Sequence, residues 1–125
     1  MPSLNFTLFI EKVIDGSKPH TIRRLRLRPF KPGDDLSFFT AMRKSCCRRL
    51  RPNTFCTAAV PIMISSHPPQ VRLGIGSRFY QDGFLPPKVI GELAKRDGFE
   101  TVDAFFRFFS SANTDFTGQL IEWRP

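Results

Sequence analysis

Eleven prolines, spread along the 125 residues, set the strongest limit on what this chain can fold into. Proline has no backbone N–H and a fixed φ, so it disrupts helix interiors and is tolerated at helix starts, turns and the edges of sheets. The prolines therefore exclude an all-helical bundle and indicate many turns and sheet edges. At this length we predict one domain, residues 1–125.

Apolar periodicity divides the chain into helices and strands. The chain is expected to open with a helix carrying Phe6, Phe9, Ile10, Val13 and Ile14 and ended by Gly16. An alternating strand at 20–28, a turn at 31–34 and a strand at 35–41 are predicted to follow. Residues 43–53 are predicted to form a basic loop or short helical turn, and residues 54–66 and 71–75 two further strands. The chain is then expected to continue with a helix at 86–98, a helix capped by Thr101 and a strand at 118–123. This order lacks regular βα alternation and predicts an α+β fold, with a small barrel-like sheet flanked by helices.

Positive charge is concentrated in one segment. Residues 1–60 hold 12 Lys or Arg and 4 Asp or Glu, whereas residues 61–125 hold 7 of each. Ten basic and two acidic residues fall between positions 23 and 51, so this segment accounts for the net charge of +8. An Arg-rich concentration of this kind is typical of phosphate-binding surfaces. A basic surface without a partner is the alternative. Membrane binding is disfavoured because no basic amphipathic helix is visible.

The cysteines argue against a disulfide or a metal. Cys46, Cys47 and Cys56 are odd in number, and the N-terminal segment does not resemble an export signal, so we expect reduced thiols in a cytoplasmic protein. Their spacing does not suit tetrahedral zinc, and we expect neither a metal nor another cofactor. Cys56 lies in an apolar strand and is interpreted as a core residue. No apolar run is long enough to span a bilayer.

A short motif begins where the first predicted helix ends. Gly16-x-Lys18 is followed by Thr21-Ile22-Arg23, and then by the turn "KPGD" and a strand. These residues resemble the signature of the ASCH domain, a family of the PUA-like superfamily with small single-domain bacterial and phage members. Later segments are similar in order and spacing to the longer single-domain members: "CRRL…CTAAVPIMI", "LAKRDGF", "FFRFF" and "GQLIEW". The resemblance runs from about Phe6 to Trp123.

The resemblance implies a mixed β-barrel of five or six strands flanked by about three helices. It also implies a cleft beside the first helix–strand junction that binds nucleic acid or a nucleoside. Some small bacterial members are amidohydrolases that remove an acyl group from N4 of cytidine. Carried over to this chain, their catalytic set is Lys18, Thr21 and Asp97, where those enzymes have Glu for Asp97. The implied ligand-binding residues are Gly16, Lys18, His20 and Arg23.

The chemistry of amide hydrolysis is compatible with these residue types. A threonine hydroxyl is too weak an acid to attack an amide unaided, so it needs a base. Lysine can serve as that base only if burial or nearby positive charge lowers its pKa. Arginines close along the strand would supply such charge. The competing interpretation is a solvated Lys18, a threonine favoured by strand sterics, and an ordinary helix-ending Asp97-Gly98 turn.

Binding of RNA or a modified nucleotide is our first prediction, because it requires basic residues and a cleft but no catalytic arrangement. The expected contacts to the RNA backbone are Arg24, Arg26, Arg28, Arg43, Lys44, Arg48, Arg49 and Arg51. Neutralising roughly five phosphates of a single strand would give a salt slope of about −3.5 on a log–log plot. A nucleoside hydrolase would show little salt dependence. A non-catalytic protein-interaction module would bind no nucleic acid even at low salt.

The remaining candidates are one histidine, whose orientation follows from the strand alternation, and two groups of phenylalanines. His20 should point away from Thr21 and lie at the surface or in a partner contact. Phe105, Phe106, Phe108 and Phe109 are predicted to be mainly core. The rings nearer the basic segment, Phe38, Phe39 and Phe55, are the candidates for stacking on a base.

Overall fold

The computed structural model describes residues 3–41, 47–66, 68–110 and 114–124. Seven strands and three helices follow one another along these residues in an α+β arrangement. In chain order they are β1 (Ser3–Asn5), α1 (Ile10–Asp15), β2 (His20–Arg24), β3 (Asp35–Thr40), β4 (Arg48–Ser66), β5 (Pro69–Leu73), β6 (Gly83–Phe84), α2 (Pro87–Asp97), α3 (Val102–Phe109) and β7 (Phe116–Trp123). None of the helices in the described ranges has the length and apolarity needed to cross a membrane.

The long strand β4 organises the sheet. Its first part pairs antiparallel with β3, and β3 pairs in parallel with β1. Its second part pairs antiparallel with both β5 and β7, and β7 continues to β2. The path between the two ends of the main sheet is therefore β1-β3-β4-β7-β2, and no ladder joins β1 to β2 among the described residues.

The helix ends follow local signals in the sequence. Gly16 ends α1 and Gly98 ends α2, each with positive φ, the conformation that glycine adopts without a steric penalty. Thr101 caps α3 by accepting a hydrogen bond from the backbone N–H of Ala104 at 3.1 Å. The predictions of helices ended by Gly16 and Gly98, and of a Thr101 cap, are confirmed.

The prediction of a basic loop is wrong for residues 48–53. They form the first part of β4, because Arg48, Arg49 and Arg51 lie opposite Thr40, Phe39 and Phe38 of β3. Pairing with a strand that precedes it in the chain supplies the hydrogen bonds, and the exposed face of the ladder accepts charged side chains. Residues 43 and 44 lie outside the described residues.

Two strands were not predicted, so the described sheet has seven strands where five or six were expected. One is β1, three residues long, whose partner β3 lies more than thirty positions further along the chain. The other is the two-residue strand β6. The first helix is correspondingly shorter than predicted and begins at Ile10. Parallel pairing over such a separation leaves no local periodicity to read.

Two hydrophobic clusters fill the interior. The larger packs α2 and α3 against β4, β5 and the inner face of β7, with Leu93, Phe105 and Leu120 fully buried. The smaller surrounds Leu36, Phe38 and Trp123, and includes Phe6 and Val13. A cleft opens where the two clusters meet.

Candidate functional site

A cleft of about 380 Å³ lies between the segment after β1, the strand β2 and the C-terminal ends of α2 and α3. Its volume is near the lower end of the roughly 300–1,000 Å³ common for small-molecule sites. Aromatic rings and cations dominate its walls. It is lined by Asn5, Phe6, Thr7, Leu8, Phe9, Lys18, Thr21, Ile22, Arg23, Arg24, Asp97, Phe99, Phe108, Phe109 and Phe116.

The three residues of the predicted catalytic set line this one cleft. Lys18 and Asp97 are 79 positions apart in sequence, and the Lys18 Nζ lies 2.7 Å from the Asp97 Oδ1 and 2.6 Å from the Asp97 backbone oxygen. Lys18, Thr21 and Asp97 are each less than 5% exposed. The ion pair is thus formed almost out of water, where losing either partner would be costly.

The C-terminal end of α2 explains why lysines gather here. The last carbonyls of a helix lack intrahelical partners and carry partial negative charge. Lys18 binds the carbonyl of Asp97, and the Lys12 Nζ binds the carbonyl of Gly98 at 2.8 Å. The Phe9 ring lies within 6 Å of both ammonium groups. Phe9 itself has a positive φ of 60°, a strained conformation for a residue with a side chain.

Burial and the ion pair act in opposite directions on these groups. Burial lowers the pKa of Lys18, and the negative charge of Asp97 resists that shift. Burial would raise the pKa of Asp97, but Lys18 and His20 together hold it below its ordinary value. Asp97 is therefore a carboxylate at neutral pH, and its charge favours an ammonium rather than a neutral amine on Lys18.

Thr21 and Arg23 share a face of β2, as the alternation predicted. The Arg23 Nε lies 3.4 Å from the Thr21 Oγ1, and another nitrogen of the guanidinium donates to the Asn5 backbone oxygen at 2.8 Å. The guanidinium also stacks over the Phe6 ring at 4.8 Å. Arg23 is therefore held between β2 and the end of β1, and forms one wall of the cleft.

The prediction that His20 lies at the surface is wrong. Its side chain is fully buried, because the C-terminal end of α2 and the segment around Tyr80 cover the face of β2 opposite Thr21. The His20 Nδ1 lies 3.3 Å from the Asp97 Oδ1, and the His20 Nε2 lies 2.8 Å from the Tyr80 hydroxyl. His20 does not line the cleft and reaches it only through Asp97.

The other predicted site residues divide between the cleft and its surroundings. Gly16 ends α1 and is not part of the cleft wall. Arg24 lines the cleft, while Arg26 and Arg28 are exposed beyond the end of β2. Arg48 and Arg49 are exposed on β4, and Arg51 is half-buried over the Phe38 ring. Arg43 and Lys44 lie outside the described residues.

The strand register connects the cleft with the exposed arginines of β4. Asn5 of β1 lies opposite Phe39 of β3, and Phe39 lies opposite Arg49 of β4. Neighbouring strands are about 4.8 Å apart, so the backbone of Arg49 is roughly 10 Å from that of Asn5 at the rim of the cleft. The Arg49 guanidinium covers the Phe39 ring at 5.4 Å.

Sequence reasoning missed the aromatic character of the cleft. Phe105, Phe106 and Phe109 are core residues as predicted, but the Phe108 side chain is 57% exposed and lines the cleft. Among the predicted stacking candidates, Phe38 is fully buried, Phe39 is half-buried and Phe55 is exposed. The clustering of six rings from separate segments around one opening leaves no signal in any single segment.

The described cysteines do not line the cleft. Within the described ranges, no three His, Cys, Asp or Glu side chains are grouped as metal ligands. Cys47 is exposed and Cys56 is buried, both as free thiols, and burial raises the Cys56 pKa to about 11. Cys56 thus behaves as the core residue that was predicted. Cys46 lies outside the described residues.

The chain matches no protein-family model, no curated protein and no solved structure.

Proposed function

We propose that this chain is an ASCH-type, PUA-like domain that binds single-stranded RNA, or a modified nucleotide, in the cleft between β2 and the ends of α2 and α3. The observation that carries the proposal is the joint presence of six phenylalanine rings and three cations around one opening of nucleotide size. Aromatic faces stack on bases of any sequence, and cations bind the phosphates beside them. The Arg23 bridge from β2 to Asn5 of β1 brings the two ends of the main sheet together, which supports the barrel that the motif implies.

The positions of the arginines support a strand of RNA rather than a free nucleoside. Arg24 lies in the cleft wall, Arg26 and Arg28 continue from it along the chain, and Arg48 and Arg49 lie two strands beyond β1. Of the arginines named here, a single nucleotide in the cleft could contact only Arg23 and Arg24. The exposed arginines on either side would bind phosphates of the neighbouring nucleotides.

Charge reversal at Arg48 and Arg49 tests this surface. Replacing both by glutamate should weaken binding of a mixed-sequence single-stranded RNA. It should also reduce the magnitude of the salt slope by about 1.4 from its expected value of about −3.5, because each neutralised phosphate of a single strand contributes about 0.7. The slope is measured by fluorescence anisotropy over a series of salt concentrations. The matched control is Arg72→Glu with Lys88→Glu, which lowers the net charge equally, from +8 to +4, on exposed positions away from the cleft. Equal reductions in the two double variants would contradict a localised RNA surface.

Phe108 should stack on a base at the mouth of the cleft. Phe108→Ala is expected to weaken RNA binding by about 1–3 kcal/mol, the usual contribution of one stacked base. Phe84→Ala is the control, since Phe84 is similarly exposed at 61%, lies beneath Arg72, and is not part of the cleft wall. Affinities are compared by the same titration. Unchanged binding in the Phe108 variant would place the strand elsewhere.

Amidohydrolysis of an acylated cytidine is the second candidate, favoured by the placement of Lys18, Thr21 and Asp97 on one cleft. Against it, the two hydrogen bonds of Lys18 go to Asp97, so a ligand would have to turn the amine toward Thr21 before it could act as a base. Incubation with acetylcytidine, followed by chromatography, measures release of cytidine. Release that disappears in Thr21→Val would favour this candidate over binding alone.

A further inference from the structure

Four polar side chains form a continuous chain that leads from the cleft wall into the interior, from Lys18 through Asp97 and His20 to Tyr80. None of the four is more than 7% exposed. Buried polar groups are unfavourable unless they are hydrogen-bonded, and here each member contacts the next at 2.7–3.3 Å. The candidate function uses only the Lys18 end of this chain.

The protonation states of Asp97 and Tyr80 fix the direction of the two hydrogen bonds made by the His20 ring. Asp97 is a carboxylate and can only accept, so the His20 Nδ1 carries the hydrogen between them. Burial raises the pKa of Tyr80 to about 12, so it stays a phenol whose O–H can donate to the His20 Nε2. The Tyr80 hydroxyl therefore favours the same Nδ1–H tautomer that the Asp97 carboxylate requires.

The Tyr80 end is itself anchored to the sheet. The backbone N–H of Tyr80 donates to the Ser77 Oγ at 3.1 Å, and the Ser77 hydroxyl donates to the Glu122 Oε2 at 2.6 Å. The backbone N–H of Arg78 donates to the other oxygen of that carboxylate at 2.8 Å. Glu122 is fully buried on β7, directly opposite His20 in the β2–β7 ladder. The Tyr80 end and His20 are thus fixed to the same pair of strands.

At the cleft end, this arrangement leaves one donor for a ligand. An ammonium has three N–H groups, and Lys18 uses two of them on the Oδ1 and the backbone oxygen of Asp97. Lys18 lines the cleft, and its Nζ has no other hydrogen-bond partner among the described residues. The third N–H can therefore meet an acceptor only in the cleft.

We propose that His20 and Tyr80 are positioning residues, which hold Asp97 so that Lys18 presents one charged N–H to an acceptor oxygen of the ligand. The inference rests on the proposed function, since a nucleotide offers such oxygens on its base and on its phosphate. Lys18 then acts as a hydrogen-bond donor in binding. The hydrogen bonds of the chain behind it set the direction in which that donor points.

The tautomer of His20 tests the positioning role without any ligand. In uniformly ¹⁵N-labelled protein near neutral pH, long-range ¹H–¹⁵N spectra should show the neutral ring of His20 with its hydrogen on Nδ1, and His67→Gln identifies which signals belong to His20. Tyr80→Phe should keep the hydrogen on Nδ1, because the Asp97 carboxylate still accepts it, and so should Phe79→Leu, which changes a ring contacting His20 without removing a hydrogen bond. A hydrogen on Nε2 in the neutral wild-type ring would overturn the proposal. The wild-type result decides the matter even if the Tyr80 variant folds poorly.

Binding measurements then test the donor role. Uridine monophosphate should bind Tyr80→Phe about 2- to 10-fold more weakly than wild type, the usual effect of one hydrogen bond. Uridine and inorganic phosphate distinguish the two sources of the acceptor, because a base carbonyl predicts the weakening with uridine and a phosphate oxygen predicts it with phosphate. Failure of wild type to bind single-stranded RNA as well as these three ligands would overturn the donor role together with the proposed function, whereas normal RNA binding without binding of any of the three would overturn the donor role alone. Equal binding by wild type and Tyr80→Phe, with normal RNA binding, would overturn the positioning role alone.

Discussion

Lys18→Met should lower the free energy of unfolding by about 3–5 kcal/mol, because it leaves the Asp97 carboxylate buried without its cation. Methionine has a similar length and fills the same space, so the destabilisation reports the missing charge rather than a cavity. Urea titration measures the change. Arg107→Met is the matched control: the Arg107–Asp103 pair is more than 80% exposed on each side, and its removal should cost no more than about 0.5 kcal/mol.

A double-mutant cycle separates the pair from its surroundings. Asp97→Asn keeps the shape of the side chain and removes its charge, so the double variant Lys18→Met, Asp97→Asn should be less destabilised than the sum of the single variants. Strictly additive effects would mean that the two groups do not interact in solution as they do in the structure.

The same pair gives the stability a defined pH dependence. The pKa of Asp97 is lowered in the folded protein, so the unfolded chain binds the extra proton first as the pH falls. The contribution of Asp97 is therefore present above the ordinary carboxyl pKa of about 4 and is lost as the pH drops through the lowered value. This acid-induced destabilisation should shrink in Lys18→Met, where the cation that lowers the pKa is gone.

Gly118→Ala should have a comparably large effect for a different reason. Gly118 lies in β7 opposite Arg24, and a Cβ there would overlap the backbone carbonyl oxygen of Arg23. Backbone cannot move aside as a side chain can, so β2 and β7 would have to separate beside the cleft. We expect a decrease of about 3 kcal/mol or more in the free energy of unfolding, at or above the upper end of the usual cost of overpacking.

A second glycine supplies the control with the opposite sign. A Cβ on Gly91, inside α2, would meet its nearest neighbour, the Val102 Cγ2, at an ordinary 3.9 Å. Gly91→Ala should therefore stabilise the protein by about 0.5–1 kcal/mol through the better helix propensity of alanine. If both glycine variants changed stability equally, close approach of the two backbones would not be the cause at Gly118.

Local signals carried most of the fold prediction. Gly16, Gly98 and Thr101 mark helix ends by their own chemistry, and strands were correctly predicted within 35–41 and 54–66. The pairing of β1 with β3 and the strand at 48–53 depend on partners elsewhere in the chain. For the same reason, local alternation placed His20 on an outer face without showing that α2 covers that face.

In the candidate site, too, the residues were found from local sequence signals, but their contacts were not. The motif brought Lys18, Thr21 and Asp97 to attention, and the structure places all three on one cleft, while their roles remain predictions. The Lys18 ammonium contacts Asp97, the Phe9 ring and the end of α2. These groups lie apart in sequence and come together only in the folded chain. Tyr80 gave no signal at all, since a single tyrosine in a loop has no periodicity.

The cleft lies at the boundary of the two hydrophobic clusters, so a bound ligand would contact both of them. Phe6 belongs to the smaller cluster, Phe109 and Phe116 belong to the larger one, and all three line the cleft. A bound molecule would therefore pack against both clusters, which are otherwise joined by the strands β4 and β7 that contribute residues to each. Occupancy should rigidify both halves at once, and slowed amide exchange on α3 and on β3 together would be its signature.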